Sequence, residues 1–308
     1  MKRYATIDIG TNSMRLLLAE VDGQQILHRQ KHLNTTRIGK SVDQDGRITS
    51  EGLQTNLKAY VDFVNQAKQW GAEDIWAIAT SAVRDAENGQ EFADEAHHAT
   101  GVKIEIIDGK QEAILGYQGV LMGLKEPLPQ VFLIDIGGGS TELIIGDDKR
   151  IIEANSYNIG AVRMTERWIT TDPPVDNEIN DLVEEITRIL EEPLKSYPSN
   201  LEHIIGIGGT ATTIAALHQA LVPYDPDKVH GYKLGLQEIA DLRGKIKLLS
   251  NAERRQLKGL EPKRADIIVA GITIMITAME LLKIPELMIS EYDNLEGLLW
   301  SKVNGRKV

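Results

Sequence analysis

Residues 4–19 read YATIDIGTNSMRLLLA, and residues 131–146 read VFLIDIGGGSTELIIG. Each stretch reads as a buried strand, a turn that contains glycine, and a second strand. Placed with Asp8 on Asp135, the two stretches align without a gap: Ile7-Asp8-Ile9-Gly10 matches Ile134-Asp135-Ile136-Gly137, Ser13 matches Ser140, and Leu16 matches Leu143. A match that continues through the second strand indicates an internal duplication and not the chance recurrence of one motif.

The residues around the two copies predict similar orders of elements. In the first copy, three strands at 4–9, 14–21 and 24–32 precede a helix, a strand at 75–79, a helix after Ser81, a strand at 103–107 and a helix from near Lys110. In the second copy, strands at 131–136, 141–146 and 150–157 precede helices and a strand at 204–208, which turns into a helix at Thr210. We therefore predict two similar α/β domains that face each other across a cleft, with a boundary near residues 120–128.

The composition narrows the class of protein. A chain of 308 residues with 42% hydrophobic and 26% charged residues is long enough for two domains with a sizeable core. It contains no cysteine, which excludes disulfides, thiolate nucleophiles and cysteine-based metal centres. The net charge of −11 disfavours general nucleic-acid binding, because affinity for nucleic acid depends on Lys and Arg.

No segment of the sequence predicts a membrane location. The N-terminus, MKRYATIDIG, lacks the apolar run of a signal peptide. The most hydrophobic stretch, residues 267–282, is interrupted by Thr273, Thr277 and Glu280 and is too short to cross a bilayer. We expect a buried core helix there, and a cytoplasmic protein.

The two Gly-containing turns are suited to binding phosphate. Glycines let successive backbone N–H groups converge on an anion, and Ser or Thr hydroxyls add donors. Asp8 and Asp135 end buried strands, where they can hold a divalent metal beside the phosphates. The turn Gly208-Gly209-Thr210 would add a helix N-terminus. The alternative is that these are ordinary turns, but two copies in register favour phosphate loops.

Three charged residues are further candidates. Glu112 lies in the first turn of a predicted helix, where spacing alone favours a solvated carboxylate that complements the helix dipole. Arg84 opens a helix after a buried strand, and Arg264 follows Pro262. Either guanidinium could bind phosphate, although a single Arg at either place is more often solvated.

These motifs closely resemble those of the exopolyphosphatase/guanosine pentaphosphate phosphohydrolase (Ppx/GppA) family, in the superfamily of actins, heat-shock chaperones and sugar kinases. The segments that carry the resemblance span almost the whole chain: DIGTNSMRLLLAEV, TRIGKSVDQDGRIT, ATSAVRDA, IIDGKQEAILGY, FLIDIGGGSTELIIG, IGIGGTATTIAA and LSNAERRQLKGLEPKRADIIVAG. The resemblance implies an α/β fold of two duplicated actin-like (ribonuclease H-like) domains with an interdomain cleft. We place the first at 1–124, completed by a C-terminal helix at 298–308, and the second at 125–297.

The resemblance also implies roles for individual residues. Glu112 becomes the catalytic base, in place of the solvated carboxylate that spacing favours. Asp135 and Glu142, together with Asp8, would bind Mg²⁺ or another divalent cation. The phosphate-binding positions would be Asp8, Thr11, Asn12, Ser13, Arg84, Gly137, Gly138, Gly139, Ser140, Thr141, Gly208, Gly209, Thr210 and Arg264. One departure concerns the family segment S-x-x-G-L-R-E-G, because here SEYDNLEG has Leu295 in place of its arginine.

The implied activity is hydrolysis of the terminal phosphoanhydride of inorganic polyphosphate. The alternative within the family is guanosine pentaphosphate (pppGpp) 5'-phosphohydrolase, or both activities. Two other classes stay open: a sugar or acetate-type kinase of the same superfamily, and a non-enzymatic sensor of nucleotide or polyphosphate. The resemblance leaves K⁺ stimulation and a homodimer as further expectations.

Overall fold

The computed structural model describes residues 1–23, 25–124, 126, 128, 130–197 and 203–305. The chain forms two compact units. Unit 1 is Met1–Met122 with Tyr292–Val308, and unit 2 is Gly123–Glu291. The predicted division into 1–124 with 298–308, and 125–297, stays a prediction for the folding domains.

The strands and helices follow in an alternating order typical of α/β proteins. The strands are β1 Lys2–Ile9, β2 Met14–Asp22, β3 Gln25–Asn34, β4 Asp74–Ala79, β5 Ile104–Ile106, β6 Val131–Ile136, β7 Thr141–Gly146, β8 Ile151–Tyr157, β9 His203–Ile207, β10 Lys233–Gly235 and β11 Glu286–Ile289. The helices are α1 Val42–Asp45, α2 Ser50–Trp70, α3 Ser81–Asp85, α4 Gly89–Thr100, α5 Gly109–Gly123, α6 Ala161–Trp168, α7 Asp176–Leu194, α8 Gly208–His218, α9 Pro226–Val229, α10 Leu236–Ile246, α11 Asn251–Arg254, α12 Ile268–Leu282 and α13 Asn294–Val303. A 3₁₀ turn covers Pro262–Arg264.

Unit 1 is built on a five-stranded sheet in the order β3-β2-β1-β4-β5. The strand β1 pairs antiparallel with β2 and parallel with β4. Because side chains alternate along a strand, successive residues of β2 pack on opposite faces of the sheet. Ile7 and Leu16 pack in the core that includes Tyr60 of α2, whereas Leu17 packs on the opposite face against Leu295 of α13.

The sheet of unit 2 repeats this order. Its six strands run β10-β11-β9-β6-β7-β8, so that β8-β7-β6-β9-β11 corresponds to β3-β2-β1-β4-β5 and β10 is an additional edge strand. The register repeats as well: Asp8 pairs with Arg15 in the first hairpin, and Asp135 pairs with Glu142 in the second. The predicted duplication and the ribonuclease H-like topology of both halves are confirmed.

The apolar stretch near the C-terminus forms the central helix of unit 2. All but two residues of α12 are buried, as the sequence predicted. The hydroxyl of Thr273 donates to the carbonyl oxygen of Val269 at 2.8 Å, which satisfies the hydroxyl inside the core. In the part of the chain that the structure describes, none of the helices is long and apolar enough to cross a membrane.

The helix α8 begins two residues before the predicted start at Thr210. The strand β9 ends at Ile207, and Gly208 is already the first helical residue. Gly208 has φ +74°, a conformation that a residue with a side chain adopts only with strain. Glycine at this position therefore lets the chain pass directly from strand to helix.

Candidate functional site

The tips of the β1–β2 and β6–β7 hairpins have the same backbone geometry. In the first, the N–H of Gly10 donates to the carbonyl of Ser13 at 3.0 Å, and in the second the N–H of Gly137 donates to that of Ser140, also at 3.0 Å. A Cβ built on Gly10 would lie 3.2 Å from the carbonyl oxygen of Ser13, and one built on Gly137 would lie 3.2 Å from that of Ser140. The duplication therefore extends to the turn itself.

The carbonyl groups of both tips are held by the segment that follows the third strand, which is a loop in unit 1 and the start of α6 in unit 2. The carbonyls of Thr11 and Asn12 accept from the N–H groups of Gly39 and Arg37, both at 2.9 Å. In unit 2, the N–H groups of residues 161–163 donate to the carbonyls of Gly137 and Gly138. Each tip is thereby fixed through its carbonyl oxygens.

The amide groups at these tips are left for a ligand. Within the described residues, the backbone N–H groups of Thr11, Asn12, Gly138 and Gly139 donate to no other group. Consecutive N–H groups of this kind form a concave anion-binding site. The geometry of both tips fits the predicted phosphate loops.

The side chains at the first tip connect it to α3. The hydroxyl of Thr11 lies 2.8 Å from that of Ser81, and the N–H of Thr80 donates to the carbonyl of Ile9 at 3.1 Å. The amide of Asn12 donates to the Ser13 hydroxyl at 3.1 Å. These contacts fix the first tip against α3, the helix that carries Arg84.

Arg84 and Glu112 lie side by side in unit 1. The Nη1 atom of Arg84 is 3.6 Å from a carboxylate oxygen of Glu112, and the Nε atom is 3.2 Å from Asp85. Glu112 is 7% exposed, so the solvated-face interpretation from spacing alone is wrong. A cation suited to phosphate and a carboxylate suited to accept a proton therefore adjoin.

The N-terminus of α5 fixes Glu112 in place. The Asp108 carboxylate accepts from the N–H of Gln111 at 2.8 Å, and the Gln111 side chain accepts from the N–H of Asp108 at 2.9 Å. This reciprocal pair is a capping box, which defines where a helix begins. The Glu112 N–H donates to the Asp108 carbonyl at 3.0 Å, so Glu112 belongs to the first complete turn.

Two carboxylates lie opposite each other in the second hairpin. Asp135 of β6 and Glu142 of β7 are register partners, and Glu142 is 1% exposed. The Ser156 hydroxyl, on the neighbouring strand β8, donates to Glu142 at 2.7 Å. Adjacent buried carboxylates repel each other, and a divalent cation would relieve that repulsion.

The N-terminus of α8 adjoins the same hairpin. A Cβ on Gly208 would lie 2.4 Å from a carboxylate oxygen of Asp135, and a Cβ on Gly209 would lie 1.7 Å from Nη1 of Arg264. No side chain of the described residues caps this helix. The structure thus brings together Asp135, the three residues 208–210 and Arg264, which the sequence analysis had selected separately.

Two of the predicted phosphate-binding hydroxyls serve the fold instead. Thr141 donates to the carbonyl of Ile159 at 2.5 Å, and Thr210 donates to the carbonyl of Ile136 at 3.0 Å. Ser140 is buried beside them. These two hydroxyl protons are therefore used inside unit 2, and phosphate binding by Thr141 and Thr210 stays a prediction for their other groups.

Asp8 differs from its counterpart Asp135 in having a basic partner. Its Oδ2 atom accepts from Arg15, the residue opposite it in the hairpin. Its Oδ1 atom is buried and accepts no hydrogen bond from the described part of the chain. Burial raises the pKa of Asp8, and the adjacent Arg15 only partly opposes that shift. Asp8 therefore has one oxygen held by Arg15 and one buried oxygen that a bound cation or a hydrogen-bond donor would satisfy.

The residues fit Mg²⁺ as a cation that arrives with substrate. Among the described residues, no group of three or more His, Cys, Asp or Glu side chains is placed to hold a metal ion. Mg²⁺ is commonly held by one or two carboxylates together with substrate phosphates and water. Within unit 2 the Asp135–Glu142 pair has the chemistry of such ligands, and within unit 1 Asp8 has a carboxylate oxygen of the same kind.

The arginine of the family segment S-x-x-G-L-R-E-G has no counterpart in the structure. Leu295 takes its place, is fully buried, and packs with Tyr4, Leu17 and Leu299. The sequence analysis did not select Arg15 or Ser156. Arg15 could have been found from its position in the repeat, because it lies opposite Asp8 where the second hairpin has Glu142 opposite Asp135.

Comparison with known proteins places the chain in a family. Residues 17–305 match the Ppx/GppA phosphatase family. The chain belongs to this family. It is 31% identical over 317 residues to "Exopolyphosphatase 2" of Mycobacterium tuberculosis, and the match covers 98% of each chain. It is 27% identical to the "Guanosine-5'-triphosphate,3'-diphosphate pyrophosphatase" of Vibrio cholerae, covering 97% of this chain and 59% of that protein.

A solved structure supports the same conclusion for the fold. The crystal structure of an exopolyphosphatase from Cytophaga hutchinsonii is similar with a TM-score of 0.90 and 27% identity, over 99% of both chains. The expected Ppx/GppA membership and the two-sheet α/β fold are confirmed. As a member of a phosphatase family, the chain is a hydrolase, as the sequence predicted.

Proposed function

We propose that this Ppx/GppA protein is an exopolyphosphatase, which removes the terminal phosphate from inorganic polyphosphate. The observation that carries the proposal is the contact of Arg84 with the buried Glu112 carboxylate at 3.6 Å. Thr11, at the first phosphate loop, is hydrogen-bonded to Ser81 of the helix that bears Arg84. These contacts support a phosphate site next to a group that can take a proton.

In the proposed reaction, Glu112 accepts a proton from a water molecule whose oxygen attacks the terminal phosphorus. The bond from that phosphorus to the bridging oxygen breaks, and the bridging oxygen leaves with the shortened chain. Arg84 binds non-bridging oxygens of the phosphate. The loop N–H groups of Thr11, Asn12, Gly138 and Gly139 stabilise negative charge on the phosphate oxygens.

A divalent cation is part of the proposal. Asp135 and Glu142, with Asp8, would hold Mg²⁺, which when bound neutralises charge on the phosphate oxygens. The like charges of Asp135 and Glu142 in adjacent register support this assignment. Arg264 and residues 208–210 would bind phosphates further along the substrate, because a helix N-terminus and a guanidinium both favour anions.

The second candidate is pppGpp hydrolysis. Both substrates end in a phosphoanhydride, and loops that bind phosphate do not by themselves recognise guanine. The relative from Vibrio cholerae carries the pyrophosphatase name. Polyphosphate is favoured because the Mycobacterium tuberculosis exopolyphosphatase matches this chain over 98% of its own length.

The test is a phosphate-release assay with polyphosphates of graded length, pppGpp and ATP, with and without Mg²⁺. We expect release from polyphosphate that requires a divalent cation. Release from pppGpp alone would instead support the second candidate. Transfer of phosphate from ATP to an acceptor would indicate a kinase, and binding without turnover would indicate a sensor.

The role of Glu112 has its own variant and control. Glu112→Gln keeps the shape of the side chain but removes the base, and we expect kcat to fall about 10²- to 10⁴-fold, the usual contribution of a general base. Glu91 is also a first-turn glutamate, in α4, but it is exposed. Glu91→Gln is expected to leave kcat unchanged. Near-normal turnover by Glu112→Gln would contradict the assignment.

A further inference from the structure

A charged cluster covers one edge of the α13 face of the unit 1 sheet. It consists of Asp293, the N-cap of α13, and Glu296 in its first turn, with Arg15 of β2 and Arg29 and Lys31 of β3. Asp293 is 5% exposed and Glu296 is fully buried. Buried carboxylates are costly unless they are paired and hydrogen-bonded, so each of these must be accounted for.

Asp293 uses both of its oxygens. Its Oδ1 atom accepts from the N–H of Leu295 at 3.0 Å, which caps the helix. Its Oδ2 atom accepts from Nη1 of Arg15 at 2.7 Å and from Nζ of Lys31 at 3.0 Å. One oxygen therefore serves the helix, and the other binds basic residues on the sheet.

Arg15 is held from two sides. One terminal nitrogen, Nη1, donates to Asp293, and the other, Nη2, donates to Oδ2 of Asp8. A guanidinium is planar and rigid, so binding both terminal nitrogens fixes its plane. The fixed plane in turn sets the orientation of the Asp8 carboxylate, one oxygen of which accepts from Arg15. The other, Oδ1, is the buried atom that accepts no hydrogen bond from the described residues.

We propose that Asp293 is a positioning residue for the phosphate loop of unit 1. It anchors Arg15, and through Arg15 it holds the Asp8 carboxylate so that Oδ1 faces the bound phosphate or its cation. The proposal rests on the proposed function, in which Asp8 contacts the ligand. Asp293 itself does not contact substrate.

The other half of the duplication explains why such an anchor is needed only in unit 1. In unit 2 the residue opposite Asp135 is Glu142, which is held by the neutral hydroxyl of Ser156. In unit 1 the corresponding residue is the cation Arg15, whose charge would otherwise be available to bind phosphate itself.

The test compares two substitutions in the cluster. Asp293→Asn keeps the helix cap and the side-chain volume but removes the charge that holds Arg15. Glu296→Gln removes a carboxylate of the same cluster, which contacts Arg29 and Lys31. A small displacement of a catalytic group lowers kcat more than it weakens substrate binding. We therefore expect Asp293→Asn to lower kcat about tenfold, with KM within about threefold of wild type. Glu296→Gln is expected to retain the wild-type kcat.

A double variant separates positioning from simple destabilisation. If Asp293 acts through Arg15, then Asp293→Asn in an Arg15→Gln background causes no further loss of kcat, because the intermediary is already gone. A wild-type kcat for Asp293→Asn, an equal loss in Glu296→Gln, or independent losses in the double variant would each overturn the proposal.

Failure of the proposed function can be recognised separately. A wild-type chain that releases no phosphate from any substrate would remove the proposed function. In that case the urea-unfolding double-mutant cycle of Asp293→Asn with Arg15→Gln still measures whether Asp293 holds Arg15. Coupling between these two positions would support the anchor, and its absence would overturn it.

Discussion

Replacing Gly209 by alanine tests whether the guanidinium of Arg264 forms part of a phosphate site. The Cβ atom of the new side chain would lie 1.7 Å from Nη1 and 2.3 Å from Cζ of Arg264. Both atoms cannot occupy that space, so the guanidinium must move away from the N-terminus of α8. The displaced group is the end of a flexible side chain, so unit 2 is expected to remain folded.

The size of the effect follows from the interaction that is lost. A hydrogen bond between a guanidinium and a charged ligand contributes about 1.5–3 kcal/mol, equal to about a 10- to 150-fold rise in KM for polyphosphate. Alanine favours a helix over glycine by up to about 1 kcal/mol, so the thermal stability should be unchanged or higher. Loss of affinity without loss of stability is the expected signature.

The chain supplies a matched control. Gly244 is also helical, in α10, and a Cβ added there meets no atom within 4 Å. Gly244→Ala should therefore raise the unfolding temperature and leave steady-state kinetics on polyphosphate unchanged. Arg264→Ala should raise KM as much as Gly209→Ala, and the double variant no more than either. A wild-type KM for Gly209→Ala would refute the reasoning, because the guanidinium would then bind nothing where it lies.

Three further predictions concern other contacts. Ser156→Ala removes the hydrogen bond from the Ser156 hydroxyl to Glu142, at a cost of about 1–3 kcal/mol. A Mg²⁺ titration of activity should shift to higher Mg²⁺ concentration, and an unchanged titration would contradict the metal assignment. Leu295→Arg buries an unpaired charge, and urea unfolding should show a loss of about 3 kcal/mol or more, whereas equal stability would count against the apolar cluster. Burial tends to raise the pKa of Glu178, but hydrogen bonds from Thr171 and Thr170 reverse this and lower the pKa to about 2. The stabilisation by the Glu178 carboxylate is therefore present above the unfolded pKa and is lost as the pH falls toward 2. The melting temperature of Glu178→Gln should approach that of wild type at low pH, and a constant difference between the two would contradict this.

The sequence was sufficient to predict the two hairpins and their equivalence. Side chains alternate with a period of two along a strand, so only one pairing of two strands buries the apolar residues of both on the same face. That pairing puts Asp8 opposite Arg15. The buried helix α12 was equally clear, because an apolar run of that length has no other stable place in a globular protein.

The burial of Glu112 could not be predicted from spacing. Alone, the first turn of α5 has the charge pattern of a solvated helix start, and only the elements packed around it exclude water. The uses of the Thr141 and Thr210 hydroxyls were missed for a similar reason, because a hydroxyl in a Gly-rich segment bonds to phosphate and to a backbone carbonyl equally well. The contact between Arg15 and Asp293 joins residues 278 positions apart, a distance over which no local pattern operates.

The carbonyl groups of the two hairpin tips have a thermodynamic consequence. The N–H groups of Gly39 and Arg37 hold the first tip, and those of residues 161–163 hold the second. The backbone of both tips is therefore ordered by the fold itself. Ordering a loop during association would cost conformational entropy and would reduce affinity. Under the proposed function, folding has already ordered both tips, so the free energy of each phosphate contact would contribute in full to binding and orienting the substrate.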